Sequence, residues 1–276
     1  MTTRPSRTAM APRRRARPAL WASLAAAPLM LAACNAPDYT PVRDWAATAS
    51  LAVDEPRMAG GSVAPPPGTG LPASRPAEDG ILAMQEALAT YLQALATLAS
   101  DGVLPYRESP FVQLATRAEA ASTPGAQAIT ALGLLLRRAT HYNARAPEMR
   151  DNIRAADPQV QALVAALREA VARQEAGEAA ARREAAAFYA EVEANGRDAA
   201  AQQALREWAR ERDAAFAAEA ARRLGYGQVL ARVAEGHALL KARASRMTRL
   251  DVVQEVRAAE AELRRAAQPL RTGSAG

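Results

Sequence analysis

The sequence predicts an all-α protein, a helical bundle that carries a long antiparallel helical hairpin as a coiled-coil-like arm. Three observations lead to this prediction. Alanine, leucine, arginine, glutamate and glutamine, which are all strong helix formers, dominate the 276 residues. Aromatic residues make up only 4% of the chain and β-branched residues are sparse, so strand signals are nearly absent. Apolar residues recur at spacings of three and four, which is the period of one helix face.

The positive charge of the chain is confined to its N-terminus. The sequence has 35 basic and 29 acidic residues, and six of the arginines, with no acid, lie in residues 1–33. The remainder therefore carries 29 residues of each sign. A neutral body has no net field with which to hold nucleic acid, whose binding depends on clustered lysine and arginine. No nucleic-acid partner is predicted.

Residues 1–33 have the organisation of a signal peptide. Three consecutive arginines, residues 13–15, precede an apolar run over residues 19–31. This run is too short to cross a bilayer, which takes about 20 residues, and it fits the apolar core of a signal peptide. Either Met1 or Met10 is the start, and both alternatives stay open.

The signal peptide ends in a motif that contains the only cysteine of the chain. Leu31-Ala32-Ala33-Cys34 resembles the lipobox of bacterial lipoproteins. The resemblance implies that the Cys34 sulfur carries a diacylglycerol, that cleavage occurs before Cys34, and that the bilayer is a partner through this residue. It also implies a membrane-anchored protein facing the periplasm. Asn35 follows where an aspartate would retain the protein at the inner membrane, which favours the outer membrane.

Residues 34–80 are predicted to be a lipid-anchored flexible tether. Glycine and proline are concentrated between residues 59 and 76, and both discourage regular structure. Within the tether, Thr40-Pro41 begins either a short helix with Trp45 on one face or a loop, and both alternatives stay open. The reach of about 45 flexible residues, roughly 35–40 Å as a coil, would hold the body clear of the lipid surface.

The helices of residues 81–270 begin at recognisable start signals. Three sites combine a capping side chain with a following proline, which loses no hydrogen bond at the first helical position: Ser109-Pro110, Thr123-Pro124 and Asp157-Pro158. Asp79 is predicted to cap the helix before them, and Asp101-Gly102 to end it. Residues 248–251 have capping-box spacing and are predicted to begin a last helix that Pro269 stops. Residues 271–276 are predicted to be a disordered tail.

The longest apolar stripes predict the hairpin. Residues 160–171 and 226–247 each carry a strong stripe, and Asn195-Gly196 between them is the best break in the region. If the chain turns there, the numbers of facing residues sum to about 393, and the two stripes then match. Residues 172–222 form the predicted arm, in which alanine marks most of the apolar side. Gly225 and Gly227 either break the second helix or lie within it, and the unbroken apolar phase favours one helix.

No catalytic, metal or cofactor site is predicted. The two histidines, His141 and His237, are isolated, and His237 is predicted to be a packed core group. No cysteine, histidine or acidic cluster has the spacing of metal ligands, and no nucleophile or phosphate-loop motif occurs. The paired arginines at 137–138, 182–183 and 222–223 are interpreted as solvated helix faces. Trp208 and Phe216, on an arm with little core, form the candidate interaction surface.

Two functions follow as expectations. The first is a non-enzymatic lipoprotein that serves as a scaffold, adaptor or spacer in the cell envelope and offers its hairpin to an envelope protein. The alternative is a module that binds a ligand or peptide in a cleft of the bundle, lined by Tyr91, Tyr142 or His237. An exposed apolar stripe on the arm would favour the first function. The oligomeric state stays open.

Overall fold

The computed structural model of the protein describes residues 38–54, 75–106, 109–142, 144 and 146–272. Over these residues the chain forms seven α-helices and no strand, which confirms the all-α prediction. Short 3₁₀ turns, Ala146–Glu148 and Ala244–Arg246, precede the fifth and the last helix. The helices are α1 Thr40–Asp54, α2 Arg75–Ala99, α3 Phe111–Ala118, α4 Thr123–His141, α5 Met149–Asn195, α6 Ala199–Arg243 and α7 Leu250–Thr272.

Helices α5 and α6 form the predicted antiparallel hairpin. Gly196 ends α5, and the Asp198 side chain caps α6 by accepting a hydrogen bond from the Ala200 backbone N–H at 2.9 Å. The predicted register holds to within a few residues, because three cross-helix contacts join residues whose numbers sum to 394 or 395: Asp157 with His237, Gln161 with Ala234, and Arg182 with Asp213. Gly225 and Gly227 lie inside α6, which is one continuous helix.

Helix α1 shows that the predicted flexible tether of residues 34–80 is wrong for residues 40–54. Its side chains Val42, Trp45 and Val53 are fully buried, and it packs against α2, α6 and α7. The Trp45 indole lies against Gly236, where a Cβ atom would come within 2.5 Å of the ring. The compact unit therefore begins at Asp38. The sequence could not show this because the space for Trp45 is made by a glycine almost 200 residues away.

Other parts of the predicted organisation lie outside the described residues. These are the signal peptide of residues 1–33, the lipidation of Cys34, the glycine- and proline-rich part of the tether over 55–74, and the end of the tail at 273–276.

Several helix ends differ from the predicted ones. Helix α2 begins at Arg75, not at Asp79, and α7 runs through Pro269 to Thr272. Helix α4 begins at Thr123 as predicted, but its cap is Ser122, whose hydroxyl accepts from the Gly125 N–H. Helix α3 begins after Pro110 without a side-chain cap.

The largest error concerns Asp157-Pro158, which lies inside α5 and starts no helix. Proline removes one hydrogen bond from the ladder, here the bond to the carbonyl of Arg154. Both Pro158 and Arg154 are exposed, so water can satisfy that carbonyl. The Asp157 carboxylate is free of any capping role and instead points into the bundle, where it makes the contacts described below.

The helices of the bundle define two ends. Helix α1 runs antiparallel to α2, because Ser50 contacts Ala89 and Val53 contacts Gln85. Beyond the end of α2, the Asp101 carboxylate accepts a hydrogen bond from the Ala146 N–H, just before α5 begins. The starts of α1 and α5 and the end of α2 therefore lie together, at what we call the proximal end. The hairpin tip lies at the other end of α5, whose 47 residues span about 70 Å.

Candidate functional site

The arm has almost no core of its own. Between residues 172 and 222 only two side chains, Ala185 and Phe216, are buried, whereas the bundle base formed by the rest of the described chain contains nearly all of the apolar core. Phe216 is 4% exposed and packs in the seam between the helices. Trp208 is 61% exposed. The structure therefore separates the two residues of the candidate interaction surface: Phe216 stabilises the arm, and Trp208 faces outward.

Trp208 belongs to an apolar groove along one side of the arm, which we call the arm groove. The groove has a volume of about 660 Å³, and its apolar lining is supplied by both helices: Phe188, Tyr189, Val192, Leu205, Trp208 and Ala215. The register of the hairpin places Phe188 level with Trp208, and Val192 level with Leu205. Glu211 and Arg212 are its only charged lining residues. The i, i+4 spacing of Phe188 and Val192 was the available sequence signal for this surface.

The lining of the arm groove is suited to packing and not to chemistry. Two aromatic rings, Phe188 and Tyr189, are in edge contact with centroids 5.5 Å apart. Phe188 and Val192 are each about 40% exposed, and Trp208 more so. Large apolar side chains that remain exposed together on a helix pair are typical of a surface that receives another helix.

Ion pairs across the seam hold the two helices of the arm together. The Arg182 guanidinium donates two hydrogen bonds to the Asp213 carboxylate, at 2.6 and 2.8 Å, and these bonds lower the pKa of Asp213. Nearer the tip, Arg206 donates to Glu193 at 2.7 Å. Both pairs are solvent-exposed, and exposed pairs contribute little stability individually.

A buried ion cluster marks the root of the arm. The Arg223 side chain is 2% exposed and pairs with Glu178 on the opposite helix and with Glu219 one turn before it on the same helix. Sequence reasoning interpreted Arg222-Arg223 as a solvated face, and for Arg223 this was wrong. The two arginines differ because the opposite helix covers one side of α6 and not the other, which the local sequence does not reveal.

The base contains a buried polar network that links three helices. The Tyr91 hydroxyl on α2 lies 2.7 Å from His237 Nε2 on α6, and His237 Nδ1 lies 3.0 Å from Asp157 Oδ1 on α5. Lys241 donates to the other Asp157 oxygen at 2.7 Å, and Gln161 donates to Oδ1 at 3.3 Å. The hydrogen bond from His237, followed by those from Lys241 and Gln161, lowers the pKa of Asp157, whereas burial raises the pKa of Tyr91.

This network joins three helices of the base from the inside. His237 is fully buried and Tyr91 is 3% exposed, and both ring nitrogens of His237 lie within hydrogen-bond distance of a protein group. His237 is thus a packed core group, as predicted. The three residues proposed to line a binding cleft do not share one, because Tyr142 lies exposed against His141.

A second, polar groove lies on the base between α1, α2 and α3. It has a volume of about 560 Å³ and is lined mainly by polar and charged side chains, including Asp54, Gln85, Glu86, Gln93 and Arg117. Arg117 and Glu86 form an exposed ion pair at 3.4 Å across it. This groove presents hydrogen-bonding groups beside the apolar side chains Leu82, Ala89 and Tyr106, whereas the arm groove is mainly apolar.

Neither a metal site nor a membrane span is found in the described part of the chain. No group of three or more histidine, cysteine or acidic residues there is arranged to hold a metal ion. None of the described helices is both long and apolar enough to cross a bilayer. No family model, no curated protein and no solved structure matches the chain.

Proposed function

We propose that the protein is a non-enzymatic lipoprotein of the cell envelope, anchored through Cys34 and facing the periplasm, which acts as a helical scaffold, adaptor or spacer. The observation that carries this proposal is the arm groove, an exposed apolar surface on an extension that has little core of its own. A protein gains nothing for its own stability by exposing Trp208 and Phe188 together. A surface of this kind is suited to receiving an apolar helix face.

The anchor is supported by the sequence around Cys34. The apolar run, its basic flank and the lipobox-like Leu31-Ala32-Ala33-Cys34 occur in the order that lipoproteins use. One acyl chain holds a protein at a membrane only marginally, whereas two or more hold it stably, and a lipidated N-terminal cysteine supplies that number. Asn35 favours the outer membrane over the inner one.

Helix α1 brings the bundle close to such an anchor. Cys34 precedes Thr40 by six residues, and six residues span at most about 20 Å when fully extended. Trp45 is buried against Gly236, so α1 cannot unfold to lengthen the linker without breaking that contact. At most about 20 Å of chain would thus separate a lipidated Cys34 from the start of α1.

The arm groove lies far along the molecule from the proximal end. Helix α5 starts at the proximal end with Met149 and reaches the level of the groove about 40 residues later, which corresponds to about 60 Å along its axis. An anchored base with a distant apolar surface is the geometry of a spacer or adaptor. The nearly balanced charge of the body agrees with a protein partner and not with nucleic acid.

The anchor is tested with Cys34→Ser in the full chain. The wild-type protein should enter the detergent phase and sediment with membranes, and the variant should remain uncleaved or become soluble. Unchanged partitioning of the variant would overturn the lipoprotein proposal.

The arm surface is tested by placing a photo-crosslinking amino acid at position 208 in the cell envelope. Adducts are expected at position 208 and not at Leu224, which is similarly exposed on the same helix but lies outside the arm groove. Equal or absent adducts at the two positions would argue against the arm as the functional surface.

A second candidate function uses the polar groove of the base. Its amide, carboxylate and guanidinium groups are suited to a small polar ligand, such as a saccharide or a short peptide. Titration with oligosaccharide and peptide probes should then change the fluorescence or the thermal stability of the wild-type chain, and Gln93→Ala should abolish the change. Absence of any change in the wild type would exclude these ligand classes.

A further inference from the structure

We infer that the arm pivots on the base about a polar joint at its root. The joint, as we name it, consists of residues 172–181 of α5 and 217–225 of α6. This pivot goes beyond the proposed function and does not depend on the lipid anchor, because it uses only contacts inside the hairpin. It would let the arm groove face different directions while the base and the seam of the arm stay folded.

The apolar seam of the hairpin is interrupted at the joint. On α5 the buried apolar side chains stop at Val171 and resume at Ala185, a gap of about 21 Å along the helix. On α6 they stop at Phe216 and resume at Tyr226, a gap of about 15 Å. Leu224, the one large apolar side chain of the joint, is 68% exposed. The base and the arm are therefore joined by a stretch of hairpin without apolar packing.

Charged groups fill the joint in place of apolar ones. The Arg223 side chain is 2% exposed and pairs across the seam with Glu178 and along α6 with Glu219. Its Nε atom and the Oε1 atom of Gln174 are buried without a hydrogen-bond partner in the described part of the chain. Coulomb attraction falls off slowly with distance, whereas close apolar packing is weakened when surfaces separate by about 1 Å. The cluster can therefore keep the two helices paired while their angle to the base changes.

Gly177 weakens α5 at the joint although no neighbour requires a glycine there. The residue is exposed, and a Cβ atom on it would meet nothing within 4 Å. Glycine in a helix interior loses more chain entropy than alanine, so the helix opens more easily at that point. Gly227 is similarly unobstructed, but the fully buried Tyr226 and Val229 on either side hold it in the base. The weak position of α5 thus coincides with the gap in its packing.

Hydrogen exchange along the hairpin of the full chain tests the joint. A pivot predicts a local minimum of protection, with amides 172–181 exchanging faster than those of the base and faster than those of the arm at 185–192. Gly177→Ala should slow exchange of amides 172–181 about fivefold, because alanine stabilises a helix interior relative to glycine. Gly227→Ala is the matched control and should leave these α5 amides unchanged.

Two exchange results would overturn the inference. Protection that decreases steadily from the base to the tip would mean that the arm frays from its tip. Equal effects of Gly177→Ala and Gly227→Ala on amides 172–181 would mean that α5 has no weak point at the joint.

A second variant replaces the charges of the joint with apolar packing. Arg223→Leu combined with Glu178→Leu extends the apolar seam through the joint and leaves Glu219 paired with Arg222. Replacing a buried ion pair with apolar residues is often neutral or stabilising, so the minimum of protection at 172–181 should disappear. A minimum that persists while the base stays protected would mean that the cluster is not the pivot. If the base itself loses protection, the variant has unfolded, and the result with Gly177→Ala decides.

The swing of the arm is measured by electron spin distance measurements between nitroxide-bearing amino acids in the full chain. One pair joins Leu51 of the base to Ala194 near the tip, and the control pair joins Leu51 to Leu134 within the base, all at exposed positions. The first pair should give the broader distance distribution, and Arg223→Leu with Glu178→Leu should narrow it without changing the second. Equal widths, or a broad distribution that the double variant does not narrow, would show that the arm does not pivot at the joint.

Discussion

The base and the arm are built from the same two helices but are stabilised in different ways. In the base, α5 and α6 are surrounded by α1, α2, α4 and α7, and their stripes of valine and leucine are fully buried. In the arm, the two helices have only each other, and only Ala185 and Phe216 are buried. Burial scales with apolar area, so the base should provide most of the folding free energy and the arm should open at lower cost. A continuous helix can therefore be much more stable in one part than in another.

The largest expected effect comes from placing a charge in the seam of the base. Leu167 is fully buried on α5, and Leu167→Asp should remove most of the stability, because an unpaired buried charge costs several kcal/mol. Ala180→Asp, on the same helix but in the arm where the side chain is only half-buried, should cost much less. Chemical unfolding followed by circular dichroism compares the two. Similar losses would mean that the arm is as tightly packed as the base.

The next effect tests whether α1 belongs to the base. Trp45→Ala removes a fully buried indole and should cost about 3–5 kcal/mol, the usual range for a large aromatic in a core. Leu51→Ala, an exposed position on the same helix, should change stability by less than about 0.5 kcal/mol. Urea unfolding measures both variants. If Trp45→Ala behaves like Leu51→Ala, α1 does not contribute to the base.

A smaller effect, with a distinctive pH dependence, should come from the buried network. Asp157→Asn keeps the shape of the side chain but presents an amide to Lys241 and His237, and should cost about 2–4 kcal/mol at neutral pH. The folded-state pKa of Asp157 is lowered, so its contribution is fully present above the unfolded pKa near 3.9. The contribution is lost as the pH falls through the lower, folded value.

The measurement is urea unfolding of wild type and variant from pH 7 downward. The difference in unfolding free energy should stay constant to about pH 5 and shrink below about pH 4. A difference that does not depend on pH would mean that the mismatched hydrogen bonds of the amide, and not the loss of the carboxylate charge, account for the effect.

The smallest effects are expected from replacing one glycine with alanine in each region. Gly236→Ala in the base brings a Cβ atom within 2.5 Å of the Trp45 ring and should cost about 1–3 kcal/mol through overpacking. Gly177→Ala in the arm meets nothing within 4 Å and should stabilise the helix by up to about 1 kcal/mol. Thermal unfolding should show melting temperatures that move in opposite directions. Shifts of the same sign would contradict the contrast between the two regions.

The sequence alone determined the fold class, the hairpin and its register. Those features depend on local chemistry: helix propensity, the three- and four-residue spacing of apolar side chains, and the break at Asn195-Gly196 between two matching stripes. The same stripes placed His237 in the core. Helical periodicity is a property of each segment by itself, so it can be recognised without knowing what the segment packs against.

The tertiary structure decided which segments join the base and what their polar residues contact. Trp45 is buried because Gly236 leaves room for its ring, and Asp157 lies inside a helix, despite the proline after it, where His237 and Lys241 can reach its carboxylate. Arg223 is buried beside a half-buried Arg222, and Phe216 is buried whereas Trp208 is exposed, because α5 covers only one side of α6. These outcomes depend on contacts between residues distant in the chain, and such contacts form only when the helices pack.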